Sequence, residues 1–322
     1  MRFVLLEPFR LAEILLYHTR IKAHVPGQAP VFILGHWRSG TSYLQGLVCK
    51  DSRMTSNTIF RSLHADNFYL TEPWLKPLLN FICRVFKIPY SIQRVQMDLG
   101  LPAEADMSLC SLCSENSYTW GQLFPVSFDR WIDNTVLSNG SHSDAWISDY
   151  DYVIRKLSFR DGAKRVVVKS PGDTGRVAQL IRKYPDALFI YIHRDPYAVF
   201  HSSMYFWKIL QRQVSLQKLT EGEIQDLIIR NYRKVMASYL EQRHLIPARQ
   251  LAEVQFEALV KDPVGQLSAV YKKLDLGKLP AEVVNFAAAQ RGEHKAGAYA
   301  TSADLEHRLR REWAFAFEHL PV

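Results

Sequence analysis

The sequence predicts an α/β fold of three layers, with a central parallel sheet held between two layers of helices. Three observations carry that prediction. Short apolar segments recur, each bounded by turn or charged residues: Val31-Phe32-Ile33-Leu34, Val166-Val167-Val168 and Leu188-Phe189-Ile190-Tyr191-Ile192. Strands buried on both faces, as in parallel sheets, read this way. Segments with apolar residues at helical spacing alternate with them. Finally, 322 residues of which 48% are hydrophobic suffice for a sizeable core. No internal repeat, low-complexity tract or linker-like boundary divides the chain, so a single domain over residues 1–322 is expected.

The first strand is Val31–Leu34, between Pro30 and Gly35. Gly35 to Gly40 forms a tight polar loop, and a helix starts near Thr41-Ser42 with Leu44, Leu47 and Val48 turned inward. Residues 60–160 are aromatic-rich and carry Pro73, Pro77, Pro89, Pro102 and Pro125. They predict a helical insertion with long loops, set apart from the central sheet. Leu78–Phe86 is its greasiest stretch, closed off by Arg84 and Lys87. A plain amphipathic core helix is the expectation there, with a membrane surface or a greasy acceptor pocket as the alternatives. Regularity returns at the strand Arg165–Lys169, followed by a helix over Arg176–Tyr184 and the strand Leu188–Ile192. A helix from Pro196 to about Ile209 comes next, with proline suited to its first turn. A long helix over Glu223–Arg243, a strand over Leu251–Phe256 and a helix over Val264–Leu274 complete the pattern.

Charge and cysteine content narrow the class. Forty Lys+Arg against 32 Asp+Glu give a net charge of +8. The basic residues are spread out, without a run of five, a basic tail or zinc-finger spacing. A small polyanion such as a nucleotide explains this better than nucleic acid does. The four cysteines include Cys110-Ser-Leu-Cys113, with no second pair at metal spacing, so two half-buried cysteines on a helix are expected and no metal. So few cysteines suit a reducing compartment, and the cytoplasm is the expected location. The first residues do not read as a secretory signal, because Glu7, Arg10 and Glu13 interrupt them. No stretch reaches the roughly 18 apolar residues of a membrane span.

The chemistry centres on Gly35-His36-Trp37-Arg38-Ser39-Gly40-Thr41-Ser42, which follows a strand and opens a helix. That is P-loop-like geometry: glycines allow the tight turn, and backbone N–H groups converge on an anion at the positive helix end. The nucleotidase pattern G-x-x-x-x-G-K-[ST] has its spacing here but not its lysine, because Thr41 stands in that place. Nucleoside triphosphate hydrolysis is thereby disfavoured. Arg38 supplies a cation within the loop, while Ser39, Gly40, Thr41 and Ser42 supply hydroxyl and backbone donors to a smaller anionic group, without a metal.

This loop resembles the 5′-phosphosulfate loop of the sulfotransferases that use 3′-phosphoadenosine 5′-phosphosulfate (PAPS). A second hallmark follows in that family's order. Arg194, just past a strand, and Ser202, eight residues on, match its 3′-phosphate motif. An arginine offers a fork of donors to phosphate, and the serine two helical turns on faces the same anion. Val254–Pro263 is similar to the family's later strand and helix start. Arg291 and Lys295 stand where members close a basic loop over the 3′-phosphate. The resemblance spans residues 30–50 and 165–295 and is thin over the insertion, which it makes the acceptor side. It implies a PAPS-dependent sulfotransferase of the bacterial branch, acting on a hydroxyl or amine of a small-molecule, lipid or glycan acceptor.

Roles follow from the same resemblance. Lys169, at its strand end, matches the lysine that cytosolic members place beside the transferred group, as Arg38 does in the loop. Those members carry a histidine base two residues later, but Pro171 stands there, so the base must come from elsewhere. Leu101-Pro102-Ala103-Glu104-Ala105-Asp106 resembles an acidic segment of the bacterial branch, which makes Glu104 the candidate base. Asp106, Glu115 and His64 are the other candidates. A carboxylate at a helix start, interacting only with the helix dipole, is the competing reading of Glu104. The aromatics Tyr69, Trp74, Phe81, Phe86, Tyr90, Tyr118, Trp120, Phe124 and Trp131 suggest a greasy acceptor pocket. A nucleotide kinase with this loop, or an inactive nucleotide-binding homologue, are the alternative functions.

Overall fold

The computed structural model of the chain describes residues 2–90, 95–137, 143–162, 164–291 and 301–319. Seven strands occur among them: β1 (Val31–Leu34), β2 (Met54–Ser56), β3 (Pro89–Tyr90), β4 (Val95–Gln96), β5 (Arg165–Lys169), β6 (Leu188–His193) and β7 (Leu251–Gln255). Five of them form one parallel sheet in the order β2-β5-β1-β6-β7, with β1 at its centre. β3 and β4 make a small antiparallel hairpin outside it.

Side-chain alternation along these strands builds the layers. Val31, Ile33, Val167, Ile190 and Ile192 point to one face and pack against Leu44, Leu47 and Val48 of the helix Thr41–Val48 and against Leu267 and Val270. Phe32, Leu34, Val168, Phe189 and Tyr191 point to the other face, against the helices Ser143–Asp161, Pro196–Gln213 and Glu221–Gln242. Both faces are therefore dry around β1, which is why β1 is apolar at every position and β5 and β6 are apolar but for their ends. The predicted α/β/α architecture is the observed one.

Side-chain caps set several of the helix starts. Asp195 accepts from the Ala198 amide at 2.7 Å, and Pro196 occupies the first helical turn. Thr220 and Glu223 form a reciprocal capping box ahead of the long helix Glu221–Gln242.

The segment 60–160 holds the helices Phe68–Val85, Ala105–Ser111, Thr119–Leu123 and Phe128–Thr135, the hairpin β3–β4 and all but the last residue of Ser143–Asp161. One expectation fails within it. Leu78, Phe81 and Ile82 are exposed, so Phe68–Val85 is not a core helix with its apolar side inward. Its buried side carries Glu72, which pairs with Arg61 at 3.1 Å. The N-terminal helix Arg2–Ala23, which the sequence reading missed, is mixed in the same way. Its Glu13 is buried in an ion pair with Lys156 of Ser143–Asp161 and its Ile21 is buried too, while Leu15 faces outward. Apolar residues on both sides, with ion pairs buried among the inward ones such as Phe68 and Ile21, blur the usual signature of a helix on a core.

All five strands of the sheet run the same way, so the loop after β1, Lys169 at the end of β5 and Arg194 after β6 share one edge. Because β5 and β6 flank β1, the loop lies between Lys169 and Arg194. This edge, outside the carboxyl ends of the strands, is where open α/β sheets bind ligands. The loop has no slack. Gly40 has φ +102, and a Cβ there would lie 2.2 Å from the Phe256 ring. Gly40→Ala is expected to destabilise the fold by roughly 2–4 kcal/mol, from backbone strain and overpacking together. Urea unfolding measures this, and a midpoint equal to the parent's would contradict the loop conformation.

Candidate active site

The loop Gly35–Gly40 is anchored at both ends. The Gly35 amide donates to Thr174 Oγ1 at 2.8 Å, from the turn after β5. The Ser39 amide and hydroxyl both donate to the His36 carbonyl, at 3.1 and 2.8 Å. Both donors of Ser39 are thus used within the loop, and Ser39 shapes the loop instead of offering a donor to a ligand. Thr41 is buried and Ser42 is exposed at the start of the helix. That helix has no side-chain cap on its N-terminus, so the amides of its first turn face the loop without a side-chain acceptor. Arg38 sits at φ +71, a left-handed conformation uncommon for a residue with a side chain. Such strain persists only where the surroundings impose it.

Those surroundings are the second half of the site. The Arg38 Nε donates to Ser202 Oγ at 2.9 Å, and the Arg194 Nη1 donates to the Arg38 carbonyl at 3.3 Å. Arg194 also lies 4.5 Å above the Phe256 ring and 3.9 Å from the Glu257 carboxylate. Two arginines and a buried serine, far apart in sequence, therefore form one cationic corner beside the uncapped helix start. Arrays of this kind suit phosphate groups.

On the other side of the loop, Lys169 Nζ lies 3.1 Å from Glu104 Oε1. The lysine side chain is 3% exposed and the glutamate 21%, so the pair is dry at one end and open at the other. Glu104 Oε2 accepts from the Tyr118 hydroxyl at 2.9 Å, and that hydroxyl lies 2.9 Å from Ser170 Oγ. Burial, and next the Glu104 charge, push the Tyr118 phenol well above its ordinary pKa, so it stays a donor. Glu104 occupies the N-cap position of Ala105–Ser111 but makes no capping hydrogen bond. Its side chain turns to Lys169 and Tyr118 instead.

The backbone around Glu104 is fixed from several sides. Asn57, past the end of β2, donates to the Glu104 carbonyl at 3.1 Å and accepts from the Ala103 amide at 3.0 Å. Gln45 of the helix after the loop donates to the Ala103 carbonyl at 3.3 Å. Trp37 packs edge-to-face on Tyr118, with ring centroids 5.1 Å apart. Deeper in, the buried Arg176 lies 3.4 Å from Asp106 and 3.6 Å from Asp173. It ties the Glu104 segment to the turn that follows Lys169. Asp173 also accepts from Tyr150, and burial above all lifts its carboxyl to about 7.

The arrangement sets a cationic corner suited to a phosphorylated anion beside an ammonium–carboxylate pair. Against known protein families, residues 30–279 match the sulfotransferase family. The chain belongs to the sulfotransferase family. This sulfotransferase is similar to the omega-hydroxy-beta-dihydromenaquinone-9 sulfotransferases Stf3 of Mycobacterium bovis and Mycobacterium tuberculosis. Identity to each is 28% over 265 residues, covering 82% of this chain and 67% of the relative. Its fold is similar to that of the sulfotransferase STF9 from Mycobacterium avium, with a TM-score of 0.76, 20% identity and coverage of 97% of this chain and 81% of that one. For the sulfotransferase STF1 from M. tuberculosis the TM-score is 0.69 at 16% identity, covering 95% and 81%.

The structure brings together Arg38, Arg194 and Ser202 on one side of the loop and Lys169 and Glu104 on the other. Other candidates lie elsewhere. Asp106 is completely buried against Arg176, Ser117 and Thr119, so it cannot meet an acceptor. Glu115 is exposed, and His64 is buried against the Phe60 ring. The Arg291 Nε donates to the Lys261 carbonyl at 3.1 Å, whereas Lys295 lies outside the described residues. The nine aromatics do not line one pocket: Tyr118 bonds Glu104 and Tyr90 lies within its electrostatic reach, while Trp74, Phe81 and Phe86 face outward. Cys110 is on Ala105–Ser111, but Cys113 lies beyond its end at φ +57 and is exposed. Sequence reasoning missed Tyr118 as a partner of Glu104, and it missed Asn57, Gln45 and Arg176 altogether. No motif marks them, because their partners are set by tertiary contacts.

The loop also carries a pH dependence. His36 is buried, with Nδ1 3.0 Å from the Trp37 carbonyl, and burial lowers its pKa to about 4 from the ordinary 6.5. Between those values the unfolded chain takes up a proton that the folded one refuses. The contribution of His36 to stability is therefore complete above about 6.5 and is lost as pH falls toward 4. Melting temperature should drop over this range in the parent and less steeply in His36→Gln. Identical slopes would show that His36 is not held neutral.

Proposed function

We propose that this sulfotransferase takes its sulfuryl group from PAPS and delivers it to a hydroxyl on an apolar, lipid-class acceptor, with Glu104 as the base. One observation carries the reading. Glu104 and Lys169 meet at 3.1 Å on the edge of the sheet where the loop, Arg194 and Ser202 converge. PAPS supplies the sulfuryl group and departs as adenosine 3′,5′-bisphosphate. The uncapped amides of Gly40, Thr41 and Ser42, with Arg38, suit its 5′ end, and Arg194 and Ser202 suit its 3′-phosphate. Arg291 and Lys295 belong to the same reading as a basic flank beyond the 3′ corner.

The residues divide the remaining work. Transfer breaks the bond from sulfur to the phosphate oxygen and forms one to the acceptor oxygen, whose proton must leave. Glu104 receives it. Each carboxylate oxygen keeps a lone pair beyond the one that Lys169 or Tyr118 uses. Lys169 holds a positive charge where negative charge grows on the departing oxygen. Such preorganised charge supplies most of the acceleration in group transfers that need little covalent help. Tyr118 and Lys169 together fix the direction in which Glu104 points.

The lipid-class acceptor has two supports. Glu104 is held by the Tyr118 hydroxyl, Trp37 packs on that ring, and Tyr90 lies within electrostatic reach, so aromatic residues gather on its side of the loop. The mycobacterial relatives are named for sulfating a hydroxylated dihydromenaquinone.

Calorimetric titration with adenosine 3′,5′-bisphosphate in EDTA tests the reading. Micromolar binding is expected, weakened in Arg194→Ala by about 2 kcal/mol, as loss of a charge-assisted contact should be. No binding, or binding indifferent to Arg194, would contradict it.

A further inference from the structure

We propose that the outward face of the helix Phe68–Val85 docks this enzyme on the surface of an anionic lipid bilayer, with the acceptor site at the bilayer edge. The proposal rests on the lipid-class acceptor argued above.

The first observation is the apolar outer face of the helix. Its exposed apolar side chains over three turns include Trp74, Leu78, Phe81, Ile82 and Val85, and Phe86 follows at its end. Phe81 is 65% and Phe86 74% exposed. The buried side already has its own apolar contacts, through Phe68, Leu75 and Leu79, beside Thr71, the ion-paired Glu72 and Cys83. A stripe of this length facing solvent marks an interaction surface. It continues onto the helix Arg2–Ala23, where Phe9 meets Trp74 at 5.5 Å between ring centroids and Leu11 and Leu15 are exposed. Among the described residues, no helix is long and apolar enough to cross a membrane. Lying along the surface is the mode left to such a face.

Charge selects the occupant. From Pro73 to Tyr90 the chain has no acidic residue and three basic ones, Lys76, Arg84 and Lys87. Lys76 is paired with Glu72, whereas Arg84 and Lys87 are exposed beside Phe86. Apolar rings flanked by cations at one end match a bilayer with anionic headgroups, whereas a second copy of this stripe would set like charges together.

The surface is also continuous with the site. Asn80, on the same helix, accepts from the Leu99 amide at 2.8 Å and donates to Asp98 at 3.0 Å. That anchors the segment leading through Pro102 to Glu104. The Ile88 carbonyl accepts from the Met97 amide at 3.1 Å, closing the hairpin that carries Tyr90. Tyr90 lies within electrostatic reach of both Glu104 and Arg38. A bilayer beneath the stripe would therefore present the head of an amphiphile at the open side of Glu104.

Co-sedimentation with vesicles tests this, using phosphatidylcholine alone and phosphatidylcholine mixed with phosphatidylglycerol. The parent should bind the mixed vesicles, and Phe81→Ser with Phe86→Ser should weaken that binding at least tenfold. Arg84→Gln with Lys87→Gln should abolish the preference for mixed over neutral vesicles. Affinity for adenosine 3′,5′-bisphosphate should be unchanged in both variants, which certifies their folding and keeps this test separate from that of the nucleotide site. No binding to mixed vesicles, or equal binding by the phenylalanine variant, would overturn the proposal. So would a parent dimer in sedimentation velocity that this variant converts to monomer, since a second copy would then cover the stripe.

Discussion

The site depends on one ion pair, Lys169 with Glu104. A lysine ammonium that is 3% exposed at the end of a central strand has lost most of its hydration and must be compensated by charge. The sheet cannot supply that charge, because its strands are apolar. The helical insertion supplies it, by bringing Glu104 to the strand end. Truncating one member of a buried pair typically costs roughly 3–5 kcal/mol, because the other is left uncompensated. The pair therefore holds the segment of Glu104 in place against the sheet, and the fold cannot reach its full stability without assembling the two proposed reactive groups.

The surrounding contacts serve the same constraint. Asn57 and Gln45 fix the backbone at Ala103 and Glu104 from β2 and from the helix after the loop. Arg176, shared between Asp106 and Asp173, fixes the distance between the two limbs that carry Glu104 and Lys169. Tyr118 joins that frame to the loop through Trp37. The loop in turn keeps Arg38 in a left-handed conformation, with its side chain on Ser202 and its carbonyl on Arg194. The cationic corner and the Lys169–Glu104 pair are thus two ends of one connected framework.

The central sheet was legible in the sequence because strands covered on both faces are apolar throughout, and β1, β5 and β6 read that way. β2 did not, since Met54–Ser56 is three residues long and two of them are polar. The loop was legible through glycines whose positions backbone geometry dictates. Glu104 was reached through its segment, but its partner Tyr118 appeared only as one of many aromatics. The helices Arg2–Ala23 and Phe68–Val85 misled the reading for one physical reason. Pattern arguments assume that apolar residues face only the core, and here they lie on both sides of the helix, with Glu13 and Glu72 buried in ion pairs among the inward ones.

The most direct test of this account is a double-mutant cycle on sulfuryl transfer from labelled PAPS to a hydroxylated prenylquinol, or to whichever hydroxylated lipid supports turnover. The enzymes are the parent, Glu104→Gln, Lys169→Met and the double variant. If the pair acts as a unit, each single change should lower kcat/KM by about 10²–10⁴-fold. The double variant should then be little worse than the poorer single one, as for residues that work together. A Glu104→Gln enzyme with near-parent turnover, or losses that simply multiply, would contradict the claim that this ion pair is the reactive centre.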